Sequence, residues 1–335
     1  MAVASVESLD HEGRGIAHVE GKAVFIDGAL PGERVVYSSY RKKPTYESAT
    51  LSRLIGASAQ RVEPRCRYFG VCGGCSMQHL DAAAQVAVKQ RVLEDALLHI
   101  GRVAPETVLP AVQGQYWQYR HRARLAARYV AKKNTVLAGF HEKRSSFVAD
   151  MRDCAVLPHA VAGLLTPLRE LITTLSVRDR IPQIETALDE HGTVLVLRVL
   201  VPLSVQDHQV LRRFADEQRV QLYLQPHGAE SAAPYYPAQT YELHYPLKEF
   251  GLDFYFQPSE FTQINPHINA ILVRRAMALL EPQPGERIAD LFCGIGNFSL
   301  PAAKRGAAVV GVEGCAALVR SARANAQRNG LEDSV

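Results

Sequence analysis

The segment ERIADLFCGIGNFSLPAAKRGAAVVGVEG, Glu286 to Gly314, constrains the fold more than any other part of the chain. ERIADLF reads as a short strand that runs into a turn carrying Gly294 and Gly296. A helix to about Arg305 follows, and AAVVGVE makes a second strand ending in Glu313. Strand and helix signals alternating in this way mark an α/β domain. Further helices are expected from about Asn265 to Leu280 and from Ala316 to Asn329.

Glycines at the end of a strand let the backbone turn sharply and approach a ligand, and a following helix start favours polar or anionic groups. Glu313, 17 residues after Gly296, can accept both ribose hydroxyls of a nucleoside cofactor. The third glycine of the dinucleotide fingerprint is absent, because Asn297, Phe298 and Ser299 follow Gly296. That disfavours a tightly held pyrophosphate, so the residues favour S-adenosylmethionine over NAD.

The rest of the chain reads differently. A length of 335 residues suggests two to three domains, and 47% hydrophobic with 21% charged residues suits a folded soluble protein. The net charge of +4 permits a nucleic-acid partner without demanding one. Residues 1–56 alternate short apolar runs with glycine breaks, which predicts a small β-barrel. Arg34, Arg41, Lys42 and Lys43 lie close together on it, either facing nucleic acid or forming a solvated edge.

A helix is expected over 81–100, capped by Asp81, with Ala83, Val86, Ala87, Gln90, Leu93, Leu97 and Ile100 at helical spacing. From about 110 to 255 the pattern is mostly strand. In YRHRARLAARYVAKKN, a period of two puts Arg120, Arg122, Arg124 and Arg128 on one face, continued by Lys132. Four arginines on one face repel unless something anionic covers them. A phosphate backbone would do so, and so would carboxylates from a neighbouring strand.

CRYFGVCGGCSMQH carries Cys66, Cys72 and Cys75 with C-x5-C-x2-C spacing. No apolar run reaches the roughly 18 residues of a membrane span, and no secretory signal is visible, so a cytosolic protein is expected. Reduced thiols there point to a metal or cluster rather than a disulfide.

Together these stretches resemble the bacterial 23S rRNA (uracil-5-)-methyltransferases over essentially the whole chain. DHEGRGIAHVEGKAVFIDGALPGERV resembles their RNA-binding TRAM barrel, which is OB-like, and the cysteine loop resembles their iron–sulfur loop. FYFQPSEFTQINPHIN, DLFCGIGNFSLP and VVGVEG resemble their methyltransferase motifs. The resemblance implies a multidomain chain: a barrel at 1–56, a central α+β domain at 57–257 bearing the iron–sulfur loop, and part of a Rossmann-like S-adenosylmethionine domain at 258–335. Helix 81–100 is expected either within the central domain or packed on the last one.

It further implies a [4Fe–4S] cluster on Cys66, Cys72, Cys75 and Cys154, structural zinc being the alternative for four cysteines. Cofactor contacts would be Gln263, Phe292, Asn297 and Glu313, with Gly294 and Gly296 shaping the turn. Phe292 could instead be core, and Asn297 could cap the next helix. RNA contacts would be Arg120, Arg122, Arg124, Arg128, Lys132, Arg41, Lys42 and Lys43. The partner would be 23S rRNA, with a monomeric enzyme and no membrane.

In the family a cysteine adds to C6 of a flipped-out uracil so that C5 can take the methyl group. The motifs for that cysteine and its base are expected beyond Val335, so the chain as given is expected to be C-terminally truncated and inactive. Cys293, inside the turn, is not expected to be the nucleophile. Three other readings compete. A tRNA uracil-5-methyltransferase is expected to lack the barrel and the cluster. A radical methylthiotransferase would carry C-x3-C-x2-C. A non-catalytic RNA-binding protein would bind RNA without cofactor.

Overall fold

The computed structural model describes residues 2–239 and 241–335. By backbone contacts the chain divides into two compact units, 1–113 with 140–149, and 114–139 with 150–335. The central part of the sequence is therefore shared between them.

The first unit is built on six strands, β1 (Ala2–Ser5), β2 (Ser8–Leu9), β3 (Gly15–Val19), β4 (Lys22–Asp27), β5 (Arg34–Lys42) and β6 (Tyr46–Gly56). They are ordered β1-β5-β6-β4-β3-β2, antiparallel except for β4 with β6. The two edge strands are consecutive in the chain and joined by Val6 and Glu7. The Val6 N–H donates to Glu33 O (2.8 Å) and the Glu7 N–H to Ile16 O (2.8 Å). Alternation along the strands puts Ala4, Ala17, Val24, Ile26, Val35, Tyr37 and Ala49 in one core.

Glu33 is fully buried in the turn before β5. It accepts from Leu30 N, Ser58 N and the Arg61 guanidinium, at 2.6 to 3.2 Å. Burial raises its pKa, but these donors outweigh that and hold the carboxyl below its ordinary value.

Helix α1 (Ala82–Ala96) is capped by Asp81, which accepts from the Ala83 and Ala84 N–H, and it ends in a wider turn over Leu97–Gly101. The face expected from periodicity is not the one that packs. Ala84 is buried against Leu9, Leu30 and Leu80, with Val88 beside it, whereas Leu93 is 55% and Ile100 83% exposed. Two of the anchoring partners, Leu9 and Leu30, come from far along the chain, so helical periodicity alone could not select them.

The second unit contains β7 (Arg122–Val130), β8 (Thr135–Gly139), β9 (Gln183–Leu188), β10 (Thr193–Arg198), β11 (Val220–Gln225) and β12 (Ala233–Tyr236), ordered β12-β11-β10-β9-β7-β8. Helices α2 (His159–Ala162) and α3 (Leu165–Thr174) precede β9, and α4 (Val205–Gln218) joins the parallel pair β10 and β11. A capping box between Ser204 and Asp207 starts α4.

A hairpin of β13 (Leu243–Leu247) and β14 (Leu252–Phe256) leads to α5 (Pro266–Leu280), whose first turn carries Pro266 after the Asn265 cap. Then come β15 (Arg287–Leu291), α6 (Ser299–Lys304), β16 (Ala308–Val312) and α7 (Ala316–Arg328), with β15 and β16 parallel. Phe254, Val273, Met277, Leu300 and Val309 share one core with Val194, Val196 and Tyr223. Among the described residues no helix is long and apolar enough to cross a membrane.

Candidate functional site

Strands β15 and β16 run parallel, so their C-terminal ends lie side by side. The Phe292 and Cys293 N–H groups both donate to Val312 O, at 2.7 and 3.1 Å. Gly294 (φ +57°) donates its N–H to Glu313 Oε2 at 3.1 Å, while Glu313 Oε1 accepts from Cys315 N at 2.9 Å. One carboxylate thus ties the glycine turn to the end of β16. Gly296 (φ +93°) is more constrained: a Cβ there would sit 2.4 Å from Leu300 Cδ1.

Phe292 is 87% exposed at the strand end, so it is not a core residue. Asn297 does not cap α6. Its Oδ1 accepts from the Tyr245 hydroxyl and Asn269 Nδ2, and its Nδ2 donates to Asn269 Oδ1, all at 2.9 Å. The turn is thereby fastened to β13 and α5. Cys293 is buried, its thiol is pushed up by burial, and a Cβ on Gly311 would lie 2.9 Å from its sulfur. A buried thiol of raised pKa is a poor nucleophile.

Gln263 is exposed in the loop before α5 and lines a cavity of about 230 Å³ together with His121, Arg122, Glu190, His244 and Tyr245. The His121 N–H donates to Ile264 O at 2.9 Å, which brings the start of β7 beside this loop. Burial pushes the His121 ring and the Arg122 guanidinium below their ordinary pKa values, Glu185 opposing the shift at Arg122. Tyr245, His244 and His121 were not singled out from the sequence. None of the three carries a local sequence signal that points to a site.

The arginine face of β7 exists and is partly neutralised. Arg124 lies opposite Glu185 of β9, and this carboxylate, 4% exposed, meets Arg124 at 2.9 Å and Arg122 at 3.5 Å. One negative charge therefore serves two arginines. Arg128 is exposed, and among the described residues its side chain has neither ion pair nor hydrogen bond. Arg120 precedes the strand, and Lys132 lies in the turn after it rather than on its face.

In the first unit, Arg41 lines a groove of about 540 Å³ with Arg14, Tyr40, Ser48, Thr50 and Arg144. Lys42 sits 3.8 Å from Glu47, and Lys43 is exposed in the β5–β6 turn. Arg144 arrives from far along the chain. Its guanidinium pairs with Asp27 at 2.8 Å and lies 4.2 Å over the Tyr40 ring. Arg14 and Arg144 were missed because nothing local links them to Arg41.

Segment 140–149 also braces the cysteine loop. Gly73 N donates to His141 O and Lys143 N to Val71 O, both at 2.8 Å, and Cys72 bridges to Glu142. Cys72 is buried, accepts from Gly74 N at 3.4 Å, and has its thiol pushed up by burial and by the proximity of Cys75 and Cys66, with Lys143 opposing. Next to the loop, His79 is 2% exposed, packs 5.2 Å from the Phe69 ring, and has no hydrogen-bond partner for either ring nitrogen. The loop thus gathers Cys66 and Cys75 near Cys72 beside a cation, Lys143, with an orphaned buried imidazole next to them. Cys154 is buried and belongs to the second unit.

A strand–glycine turn–helix–strand closing on a carboxylate, preceded by a small β-sheet domain, defines a nucleoside-cofactor class of α/β protein. Comparison with known proteins narrows this. The TRAM domain model matches residues 4–36, and the tRNA (Uracil-5-)-methyltransferase model matches residues 243–334. The 23S rRNA (uracil(1939)-C(5))-methyltransferase RlmD of Nitrosospira multiformis is 60% identical over 329 residues, covering 98% of this chain and 75% of that protein. Its counterpart in Dechloromonas aromatica is 56% identical over 335 residues, covering 100% and 78%. The chain belongs to this family of RNA uracil-5-methyltransferases.

A crystal structure of the Pyrococcus abyssi tRNA (uracil-54, C5)-methyltransferase in complex with S-adenosyl-L-homocysteine superposes with a TM-score of 0.71 at 19% identity, covering 98% of this chain and 77% of that one. This likeness shows the fold, and it corrects one expectation. A tRNA enzyme matches across the N-terminal β domain as well, so that domain does not by itself separate rRNA from tRNA enzymes. The separation rests on sequence identity.

Proposed function

We infer that the chain belongs to an enzyme that methylates C5 of one uridine in 23S rRNA, the position its relatives' names give as 1939, with S-adenosylmethionine as donor and a cysteine adduct at C6 whose nucleophile is none of the site residues named above. The observation that carries the reading is the cavity where Gln263, from the cofactor set, meets Arg122, from the cationic strand. Cofactor and RNA residues converge there.

S-adenosylmethionine supplies an electrophilic methyl group on a sulfonium. Glu313 uses its remaining lone pairs to accept the ribose hydroxyls, its orientation being fixed by Gly294 and Cys315. Asn297, locked by Tyr245 and Asn269, keeps one N–H for the amino-acid part of the cofactor, and Gln263 offers its amide to the same part. Phe292 presents an exposed ring beside the turn. Arg120, Arg122, Arg124, Arg128 and Lys132 bind phosphates, as do Arg41, Lys42 and Lys43 on the TRAM sheet, which we read as a closed OB-like barrel. The target base must leave its stack to reach the cavity.

Cys66, Cys72, Cys75 and Cys154 hold a [4Fe–4S] cluster in this reading. It serves RNA positioning or structure, because methyl transfer from a sulfonium needs no electron. The three-part division at 1–56, 57–257 and 258–335, and a cytosolic monomer, complete the proposal.

Deleting the gene should abolish one 5-methyluridine in 23S rRNA, read by mass spectrometry of digested rRNA. Unchanged 23S methylation would refute the reading. Loss from tRNA instead would favour the tRNA reading that the fold likeness keeps open.

A further inference from the structure

The β9–β10 turn carries chemistry that methyl transfer does not use. Asp189 is the turn's anchor: its side chain is 3% exposed, Oδ1 accepts from His191 N (2.9 Å) and Gly192 N (3.1 Å), and Oδ2 accepts from His244 N (3.0 Å). The same Oδ2 lies 3.7 Å from His244 Nδ1. On the other side of that ring, Nε2 lies 3.4 Å from Glu190 Oε1. The His244 ring stacks on Tyr255 at 5.5 Å and lies 4.9 Å from the His191 ring. One ligand atom each from Glu190, His191 and His244 falls within 4.8 Å of the others.

We propose that Glu190, His191 and His244 form a binding site for a divalent cation of the zinc class, with Asp189 as the residue that orients His244. A direct contact between His244 Nε2 and Glu190 would account for one pair only. A metal accounts for all three groups. Around a tetrahedral zinc with bonds of 2.0 to 2.1 Å, ligand atoms lie about 3.3 Å apart, close to the 3.4 Å between His244 Nε2 and Glu190 Oε1.

Asp189 places both histidines through their backbone: its carboxylate accepts from the His191 and His244 N–H groups and lies behind the His244 ring, whose Nε2 is turned toward Glu190. Two imidazoles and a carboxylate are the donor set of borderline divalent ions rather than of magnesium or calcium. Three protein ligands leave a coordination position open. Glu190 and His244 also line the cavity shared by Arg122 and Gln263, so the open position faces a phosphate, a base oxygen or water held there.

The test uses the whole chain with its cysteine loop intact, freed of loosely bound metal by chelator dialysis and titrated with Co²⁺ under visible absorption. We expect one equivalent bound with the d–d bands of nitrogen and oxygen ligands and without added thiolate charge-transfer absorption. Zn²⁺ should displace it. His191→Ala and Glu190→Gln alter exposed side chains, so the thermal melt of the metal-free protein should stay as it was while affinity falls by at least about tenfold. Asp189→Asn loosens the turn that places both histidines, so it should also weaken binding although it touches no metal. Absence of binding at millimolar Co²⁺, a purely thiolate spectrum, or an affinity unchanged in both His191→Ala and Glu190→Gln would overturn the proposal.

Discussion

The glycine turn and the cysteine loop hold their functional groups by opposite means. The turn is local in its framework, and Asn297 ties it to distant elements. Its strands, glycines and carboxylate fall between Arg287 and Glu313, and Gly294 and Glu313 bond directly to each other. The cysteine loop has no regular secondary structure of its own and takes its shape from segment 140–149. A site built from contiguous residues is specified by local pattern, whereas a loop braced from afar depends on the surrounding fold. The two should therefore fail differently when perturbed.

The sharpest break is at the cysteines. Cys66→Ser, Cys72→Ser or Cys75→Ser should reduce iron and acid-labile sulfide in anaerobically purified protein to near zero, and Cys154→Ser should do the same. Cys293→Ser should leave iron unchanged, because that thiol packs on Gly311. Full iron content in Cys154→Ser would remove it from the ligand set. Binding of S-adenosylmethionine should survive all of these losses, which separates the loop from the turn.

Acid should separate them next. Burial holds the His79 pKa at about 4 against an ordinary 6.5. Its folded pKa is depressed, so the unfolded chain binds the extra proton first. The corresponding stability is complete above pH 6.5 and is lost as pH falls toward 4, a span worth up to about 3 kcal/mol. In the second unit, burial pushes Asp207 up, but hydrogen bonds from Ser176 and Ser204 outweigh it and hold the carboxyl at about 2 against 3.8, so its contribution persists until the pH drops below 3.8. Hydrogen exchange by peptide should show the first unit loosening between pH 6.5 and 4 while α4 stays protected. His79→Phe should flatten that slope, and an identical slope in the variant would discard this account.

Within the turn, Glu313→Gln removes a charge-assisted acceptor of the kind worth about 1.5 to 3 kcal/mol. Affinity for S-adenosylmethionine should fall by about 10- to 100-fold in calorimetry, with little change in melting temperature. Gly296→Ala should cost less affinity, about tenfold, but should also destabilise by about 1 to 2 kcal/mol through its φ of +93° and the contact with Leu300. Gly294→Ala meets open space at φ +57° and should be milder. Equal effects at the two glycines would mean that backbone strain does not govern the turn.

The same contrast decides what could be read from the sequence. The elements β15, α6, β16 and α7 lie within a few residues of where periodicity and punctuation put them, because each is defined by its own residues and its neighbours. The alternation of β7 was equally legible: Ala123, Leu125 and Ala127 are buried while Arg124 and Arg128 are exposed. What no local pattern could supply were partners from far along the chain. Glu185 neutralises Arg122 and Arg124 from another strand, and Arg144 completes the groove around Arg41. Asn297 stands out in the sequence as a candidate in the glycine turn, but its bond to Asn269 depends on how α5 packs, and helix packing is decided by the whole core.

The arginine strand combines both modes, and it supports the smallest effect expected here. Its cationic face is contiguous, but its electrostatics depend on Glu185 of β9. Arg128 is exposed and unpaired among the described residues, so its charge is available to a phosphate at no cost to the fold. Arg128→Ala should weaken binding to a 23S rRNA fragment by only about three- to fivefold and lower the slope of log affinity against log salt by about 1. Arg124→Ala should behave otherwise. It leaves the nearly buried Glu185 with Arg122 as its remaining cation and Gln183 as a neutral donor, so its main cost should appear in stability, about 1 to 3 kcal/mol, with a smaller change in salt slope. If the two substitutions changed the salt slope equally, Glu185 would not be screening Arg124, and the whole strand face would have to be read as one uniform phosphate-binding surface.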